Sequence, residues 1–595
     1  MLIYRKMGVS QKVSNCLALL KKFGFCPNIL NIYIKKYSFL CLVNDLLSGI
    51  KIFLLSLPIA LSLAVFCELS PLQGIISCFV AACVGILFGG SKYQVSMVAL
   101  SICVLTFEIL SKYQYMGLFW TALFVGVILM LFGLLRLSEV LKHISYAFIS
   151  ALCVYVIISI IINQLQYILE INTIQSSQSI IENFRLLFNN IGNTTSTALT
   201  TCLVYITPLM FLRMFFKGFF AFFLYIVLGA VFAYISDIGL IPSFVDIRTI
   251  GKEMVSLNLF DNIFHITGGV PSNLFLANSI NYAFVISLII ATESCFCTSI
   301  SSSITGDTRM QINAELISTG IANFCSIAFG GMFVSPNLHF STRNIGFKAK
   351  TLFPTLVVAI CYAIFITLCV DILRYIPSKC LCSILIIYCF SEFRKRHVIQ
   401  YLNMKSNDSY IFLLTVAIAI YFGFIPATIV GFSVSCIFFA KRMIKIKDAT
   451  VHTMADHDAG VIEFLRNKNG YSKSLNIDKN IMKDIEVIQV DNTLFLNVAK
   501  LVEEAYSACG KFPKVVIIYF KNIPYLDGEA FLSLKNLVKK VRSHGAIVLV
   551  SGTNGLLLDI INQKAAEEKS GDAYGYIVPN FRDAIQQTVK RLSAT

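Results

Sequence analysis

Between about Leu46 and Ala440 the chain repeats apolar blocks about 17–25 residues long, and no other feature constrains its fold as tightly. A helix rises 1.5 Å per residue, so a block of this length crosses a hydrocarbon core of roughly 30 Å. No water is present in lipid to satisfy a stray N–H or C=O, so such blocks must be helical. They lie near 46–66, 72–88, 94–110, 116–136, 146–166, 199–215 and 218–236. They resume near 280–302, 313–329, 336–347, 353–372, 378–392, 409–423 and 426–441. The spacing predicts an all-α polytopic domain of about fourteen spans, in two sets of about seven around a polar gap at 237–279. Several blocks are too short to cross alone, notably those after Gln94 and after Ser335, each third in its set. Matching short segments in two halves point to an inverted repeat with a binding site at the midplane; coincidence with shifted boundaries is the plainer alternative.

Only 14% of the 595 residues are charged, against about a quarter in soluble chains. The net charge of +16 does not point to nucleic acid. Lysine and arginine gather at span ends, as at Lys21-Lys22, Lys35-Lys36, Arg394-Lys395-Arg396 and Lys441-Arg442. That is the positive-inside pattern, which puts both the N-terminal segment and the C-terminal tail in the cytoplasm and requires an even number of spans. The first 40 residues, interrupted by lysines, show no cleavable signal peptide. The 19 cysteines have no metal-ligand spacing, and Cys295/Cys297 and Cys380/Cys382 lie in apolar stretches, where cysteine acts as a small hydrophobe. No metal, cofactor or disulfide framework is expected. Asn193-Thr194-Thr195 is a glycosylation sequon by pattern only.

From about Ile462 the tail reads as α/β. Val515 to Phe520 is a buried-strand candidate, and Phe531, Leu534, Leu537, Val538 and Val541 fall on one face of a helix over Gly528–Ser543. Gly545 breaks the chain before a strand at Ala546–Val550, and helices near Leu556–Gln563 and Phe581–Leu592 follow. No Gly-rich phosphate loop and no catalytic constellation accompanies them, so an enzyme is not expected.

Three groups of motifs carry a resemblance. The first span opens Asn44-Asp45-Leu46-Leu47-Ser48-Gly49 and continues to Leu57-Pro58-Ile59-Ala60-Leu61. Ser70-Pro71-Leu72-Gln73-Gly74 and Gly89-Gly90-Ser91-Lys92-Tyr93-Gln94-Val95-Ser96 come next. Later, Glu293-Ser294 precedes Thr305-Gly306-Asp307, then Asn313-Ala314-Glu315-Leu316 with Gly320 and Asn323, then Gly330-Gly331. This order resembles the sulfate permease (SulP) family, and Asn522-Ile523-Pro524-Tyr525-Leu526-Asp527 resembles the loop of its C-terminal STAS domain. The resemblance implies a seven-plus-seven inverted repeat divided into core and gate, usually in a homodimer. It implies an anion held between the starts of the third and tenth spans, with the first and eighth lining the site. On this chain those positions are Pro58, Gln94, Val95, Ser96, Asn337, Leu338 and His339, while Asn313, Glu315, Gly320, Asn323, Gly330 and Gly331 form the structural motif. The implied domains are a cytoplasmic segment at 1–43, a transmembrane transporter domain at 44–441, a linker at 442–461 and a STAS-like cytoplasmic domain at 462–595.

Glu293 lies well inside a span. A carboxylate there costs about 3 kcal/mol on insertion scales and so faces the protein interior. Two readings stand: Glu293, with Cys297, binds a coupling H⁺ or Na⁺, or it is a structural carboxylate held by Ser and Thr neighbours. Glu68 and Glu108 fall near expected span ends, where they snorkel to the interface. Pro58 breaks its helix in lipid, either as a kink lining the site or as a plain bend.

The sequence departs from the family pattern at both helix starts. Met97-Val98 replaces the usual Gly-Pro, Ser335-Pro336-Asn337 replaces Thr-Gly-Ala, and Phe340 stands where many relatives carry arginine. His339 is either an anion donor or a packing residue. Asp527 is followed by Gly528, not by the serine that bacterial STAS relatives phosphorylate. The expected function is secondary transport of a small anion (sulfate, bicarbonate or a dicarboxylate) with H⁺ or Na⁺. The alternatives are an organic-solute carrier of the same architecture and a channel-like or non-transporting sensor.

Overall fold

The computed structural model describes residues 39–142, 144–171, 180–190, 192, 194, 196–215, 220–237, 273–305, 310–393 and 407–446. Toward the C-terminus it describes 485–490, 514–520, 538, 541–542, 545–551, 576–578, 583–584 and 588. The chain divides into two compact units, Met1–Phe439 and Ala440–Thr595. The sequon asparagine, the basic run at 394–396, Gly306-Asp307 and the 522–527 loop lie outside the described residues.

In the first unit α1 (Phe39–Phe66) and α2 (Pro71–Phe88) lead to a short strand, β1 (Ser96–Val98), a 3₁₀ turn (Leu100–Ile102) and α3 (Cys103–Leu134). Then come α4 (Ser138–Leu141), α5 (Tyr146–Ile168), α6 (Ile180–Asn190), α7 (Ser196–Phe215) and α8 (Phe220–Asp237). The order of the opening returns in α9 (Asn273–Thr305), α10 (Ile312–Ala328), β2 (Val334–Pro336) and α11 (Leu338–Gly346). Finally α12 (Phe353–Leu368), α13 (Ser378–Glu392), α14 (Asn407–Phe422) and α15 (Phe424–Ile446) complete it. Among the described residues, six stretches are long and apolar enough to cross a membrane: Cys41–Phe66, Pro71–Phe88, Leu100–Leu134, Tyr146–Ile168, Phe275–Thr305 and Phe424–Lys441. Shorter apolar helices occupy 202–215, 220–235, 353–368 and 408–422.

Every apolar block of the sequence falls on one of these segments, with two differences of local structure. Residues 96–98 are a strand rather than the start of a helix, and the blocks at 94–110 and 116–136 are two helical stretches of α3 that meet at a kink at Gln114, whose φ is 54°. Three residues are too few to carry a period that separates strand from helix. Glu108 lies six residues before that kink, and its carboxylate accepts from Lys112 Nζ at 2.7 Å and from the Tyr282 hydroxyl at 2.8 Å. Glu68 is exposed just beyond α1. Helix α6 was not expected; Ile180, Phe184, Leu187 and Phe188 give it one apolar face in an otherwise polar stretch.

β1 and β2 pair antiparallel, with Ser96 opposite Pro336, Met97 opposite Ser335 and Val98 opposite Val334. Backbone bonds extend the ladder at both ends, from Ala99 N–H to Phe333 O at 3.1 Å and from Asn337 N–H to Val95 O at 2.9 Å. The motif residues brace this crossing. Asn323, fully buried, holds Val334 from both sides: its Oδ1 accepts the Val334 N–H and its Nδ2 donates to the Val334 carbonyl, each at 2.9 Å. Glu315 Oε2 accepts the N–H groups of Gly90 at 2.7 Å and Ser91 at 3.1 Å, tying α10 to the turn before β1. Asn313 accepts a bond from Ser138. Gly330 has φ +83°, and a Cβ on Gly331 would lie 2.6 Å from the hydroxyls of both Ser77 and Ser326. Gly320 lets α10 approach α3, since a Cβ there would meet the Gly126 carbonyl at 2.9 Å. The opening motif has a similar task. Buried Asp45 accepts from Lys350 N–H and Thr351 Oγ1 ahead of α12, and Ser48 donates to Asn344 of α11.

Replacing Asn323 with leucine should strip partners from one buried N–H and one C=O at the strand crossing, each worth about 1–3 kcal/mol. The expected outcome is a lower apparent Tm in detergent than for Asn323→Gln, read by thermal unfolding of the purified protein.

The second unit holds a four-stranded sheet in the order β3 (Ile485–Val490), β4 (Val515–Phe520), β5 (Ile547–Ser551), β6 (Tyr576–Val578), parallel throughout. Val515 to Ile518 are buried consecutively, as in a strand covered on both faces. The two expected strands are β4 and β5; Val538 and Val541 of the expected helix are helical and buried, and its other residues lie mostly outside the described set.

Candidate functional site

Because β1 and β2 run in opposite directions, the helical segments that follow them leave the crossing from its opposite ends and in opposite senses. A cavity of about 140 Å³ lies at these starts. Val98 to Ser101 form one part of its wall and Ser335 to His339 another. Glu293 and Phe296 of α9 contribute, and α5 faces the cavity with Tyr146, Ile149 and Cys153 among others. Tyr388 and Glu392 of α13, with Phe393 after it, close the lining.

The polar groups here are sparse and specific. Ser335 Oγ donates to Glu293 Oε2, so the carboxylate of α9 is tied to β2. Ser101 Oγ is buried with no partner among the described residues. Asn337 is the N-cap of α11: its Oδ1 accepts the N–H of His339 at 3.0 Å and of Phe340 at 3.2 Å. His339 Nε2 contacts a carboxylate oxygen of Glu392. No lysine or arginine is among the described residues that line the cavity.

Of the residues expected to bind the anion or the coupling ion, Glu293, Asn337, Leu338 and His339 line this cavity, and Pro58, Gln94, Val95, Ser96 and Cys297 are not in its lining. Gln94 Oε1 accepts from Thr298 Oγ1 at 2.8 Å, and its Nε2 is buried without a partner among the described residues. Val95 N–H donates to Ser341 Oγ at 2.9 Å, and Ser96 is committed to β1. Cys297 lies one turn beyond Glu293 on α9 and donates to Ser341 Oγ at 3.2 Å, so the two side chains do not share a pocket wall. Pro58 is buried inside α1, and its carbonyl accepts from Ser62 at 2.8 Å. Sequence reasoning missed Glu392, Ser101 and the face of α5. The available signal for Glu392 was an acid one residue past Ser391 at the end of an apolar block, which reads equally well as an interface residue.

The family model described as the sulfate permease family matches residues 42–415, more than half of the chain. The putative sulfate transporter YvdB of Bacillus subtilis (strain 168) is 22% identical over 544 residues, covering 90% of this chain and 96% of the relative. The structure of SLC26A9 is similar to 98% of this chain and 95% of its own, with TM-score 0.60 at 16% identity. The transmembrane domain of the cyanobacterial bicarbonate transporter BicA matches 67% of this chain and 98% of its own, with TM-score 0.52 at 20% identity. These likenesses in fold join the match along the sequence and the twofold helix–helix–strand–helix order. The chain is an integral membrane protein that belongs to the sulfate permease family, a family of transporters and not of enzymes.

Proposed function

We propose that the protein carries a small anion across the membrane by alternating access, coupled to H⁺ or Na⁺. The observation that supports this reading is one cavity shared by two opposed helical starts, at Leu100 and at Leu338. Helix starts leave N–H groups unpaired and carry partial positive charge, so they favour an anion with no fixed cation present. Glu293 is the proposed coupling site, because a cation held there offsets the anion's charge from across the same wall. The substrate class is an oxyanion or carboxylate: sulfate and bicarbonate are named for relatives, and a small dicarboxylate has the same charge chemistry. In this reading α5 and α13 belong to the gate that rocks against the β1–β2 crossing. The C-terminal unit acts as a STAS-like cytoplasmic domain that supports a homodimer or binds a regulator; its parallel sheet is in keeping with that.

Uptake of radiolabelled sulfate, bicarbonate and dicarboxylates into proteoliposomes, under imposed pH and Na⁺ gradients, tests the proposal. Accumulation of at least one of them, driven by a gradient, is the expected result; none above protein-free vesicles would overturn it. A channel-like or non-transporting role is favoured by one observation. The Asn337 side chain already occupies two N–H groups of α11. Anion flux that saturates poorly and ignores both gradients would select that reading.

A further inference from the structure

Among the described residues, the lining of the cavity contains two carboxylates and one imidazole, and the imidazole is in contact with one of the carboxylates. Glu392 sits on His339 Nε2, with its side chain only 7% exposed, while that of His339 is 26% exposed. His339 belongs to the first turn of α11, where a negative charge is stabilised, whereas Glu392 is the last residue of α13. A carboxylate at a helix C-terminus meets the negative end of its own macrodipole. Its position is therefore explained by what it touches on α11 and not by its own helix. The Glu392 carboxylate thus lies within the cavity lining, against the imidazole in the first turn of α11.

We infer that Glu392 is an internal stand-in for the transported anion, and that substrate binds by displacing its carboxylate from His339. This rests on the proposed anion site and adds a specificity-determining residue to it. The exchange has a structural consequence, because the pair joins α11 to α13. When an external anion takes over the imidazole, that link between the helix start and the facing wall opens, so binding and release of the wall become one event. An anion that cannot accept the Nε2 hydrogen would leave the link closed. Loss of the competing charge should therefore tighten binding, contrary to the usual result of removing a polar residue from a binding site.

Equilibrium binding of radiolabelled sulfate and succinate to the purified full-length protein tests this, with parent, Glu392→Gln, Glu392→Asp and the double variant His339→Gln/Glu392→Gln. Glu392→Gln keeps the shape and removes the charge, and its Kd should fall roughly tenfold, the scale of one charge-assisted hydrogen bond. Glu392→Asp, which withdraws the carboxylate by one methylene, should move the same way by less and serves if the glutamine variant does not fold. The double variant should lose the gain, since the anion then has no imidazole to take over. If the parent binds an anion and neither single variant binds it more tightly, the stand-in role is overturned while the anion site survives. If neither the parent nor the Glu392 variants bind any of these anions, both readings fall together.

Discussion

Uptake by a Glu293→Gln protein should lose its response to an imposed pH or Na⁺ gradient. Glu293 lies midway along α9, where an ionisable group costs on the order of 3 kcal/mol in insertion measurements and is retained only with a task or a partner. Its partner is the Ser335 hydroxyl, and its free face borders the cavity. Glutamine preserves the shape and can still accept from Ser335, so the strand crossing should stay intact and the change is confined to charge. Gradient-driven initial rates are expected to drop by about tenfold, the equivalent of roughly 1.4 kcal/mol, to the level seen without a gradient. Downhill exchange should persist in the same vesicles. Rates that keep the same gradient dependence would make Glu293 a structural carboxylate that holds β2, and would move the search for the coupling group to Glu392.

The largest stability loss should follow from Glu315→Leu. The Glu315 side chain is 3% exposed and accepts the backbone N–H groups of Gly90 and Ser91. Gly90 O in turn accepts from Gln311 N–H at 3.0 Å, so the turn before β1 and the start of α10 hold each other. Leucine has a similar volume but leaves two buried donors unpaired, at about 1–3 kcal/mol each. Glutamine keeps one acceptor oxygen and should cost less. The contrast is checked by comparing apparent Tm and monodisperse yield in detergent. Equal behaviour of the two variants would show that the turn finds other partners.

The helices were legible because a span must be long and apolar, and that requirement writes itself into twenty or so consecutive residues. The crossing of β1 and β2 was not, because Ser96–Val98 and Val334–Pro336 are runs of three residues, too short to show a strand period. Asn323, Glu315 and Gly331 stood out as a motif, but their task is invisible until the chain is folded. Each acts on a group far away in sequence or across a turn, such as the Gly90 N–H for Glu315 and the Ser77 hydroxyl for Gly331. At the site itself the helix starts and Glu293 could be named in advance, since a mid-span acid and an interrupted helix are local signals. Glu392 could not, because its meaning depends on His339, which lies more than fifty residues away on another helix. The departures from the family pattern at Met97-Val98 and Ser335-Pro336 fall on the two strands themselves, where main-chain pairing carries the crossing and the Ser335 hydroxyl adds its bond to Glu293.

That pairing also ties the two halves of the molecule to a common fate. Met97 and Ser335 stand opposite each other in the ladder, so a shift of one strand is a shift of the floor under both helix starts. Neither half can be retuned alone: a change that widens one side of the cavity is handed on, through backbone bonds, to the other. The wall of the cavity is thus a single piece assembled from two distant stretches of chain.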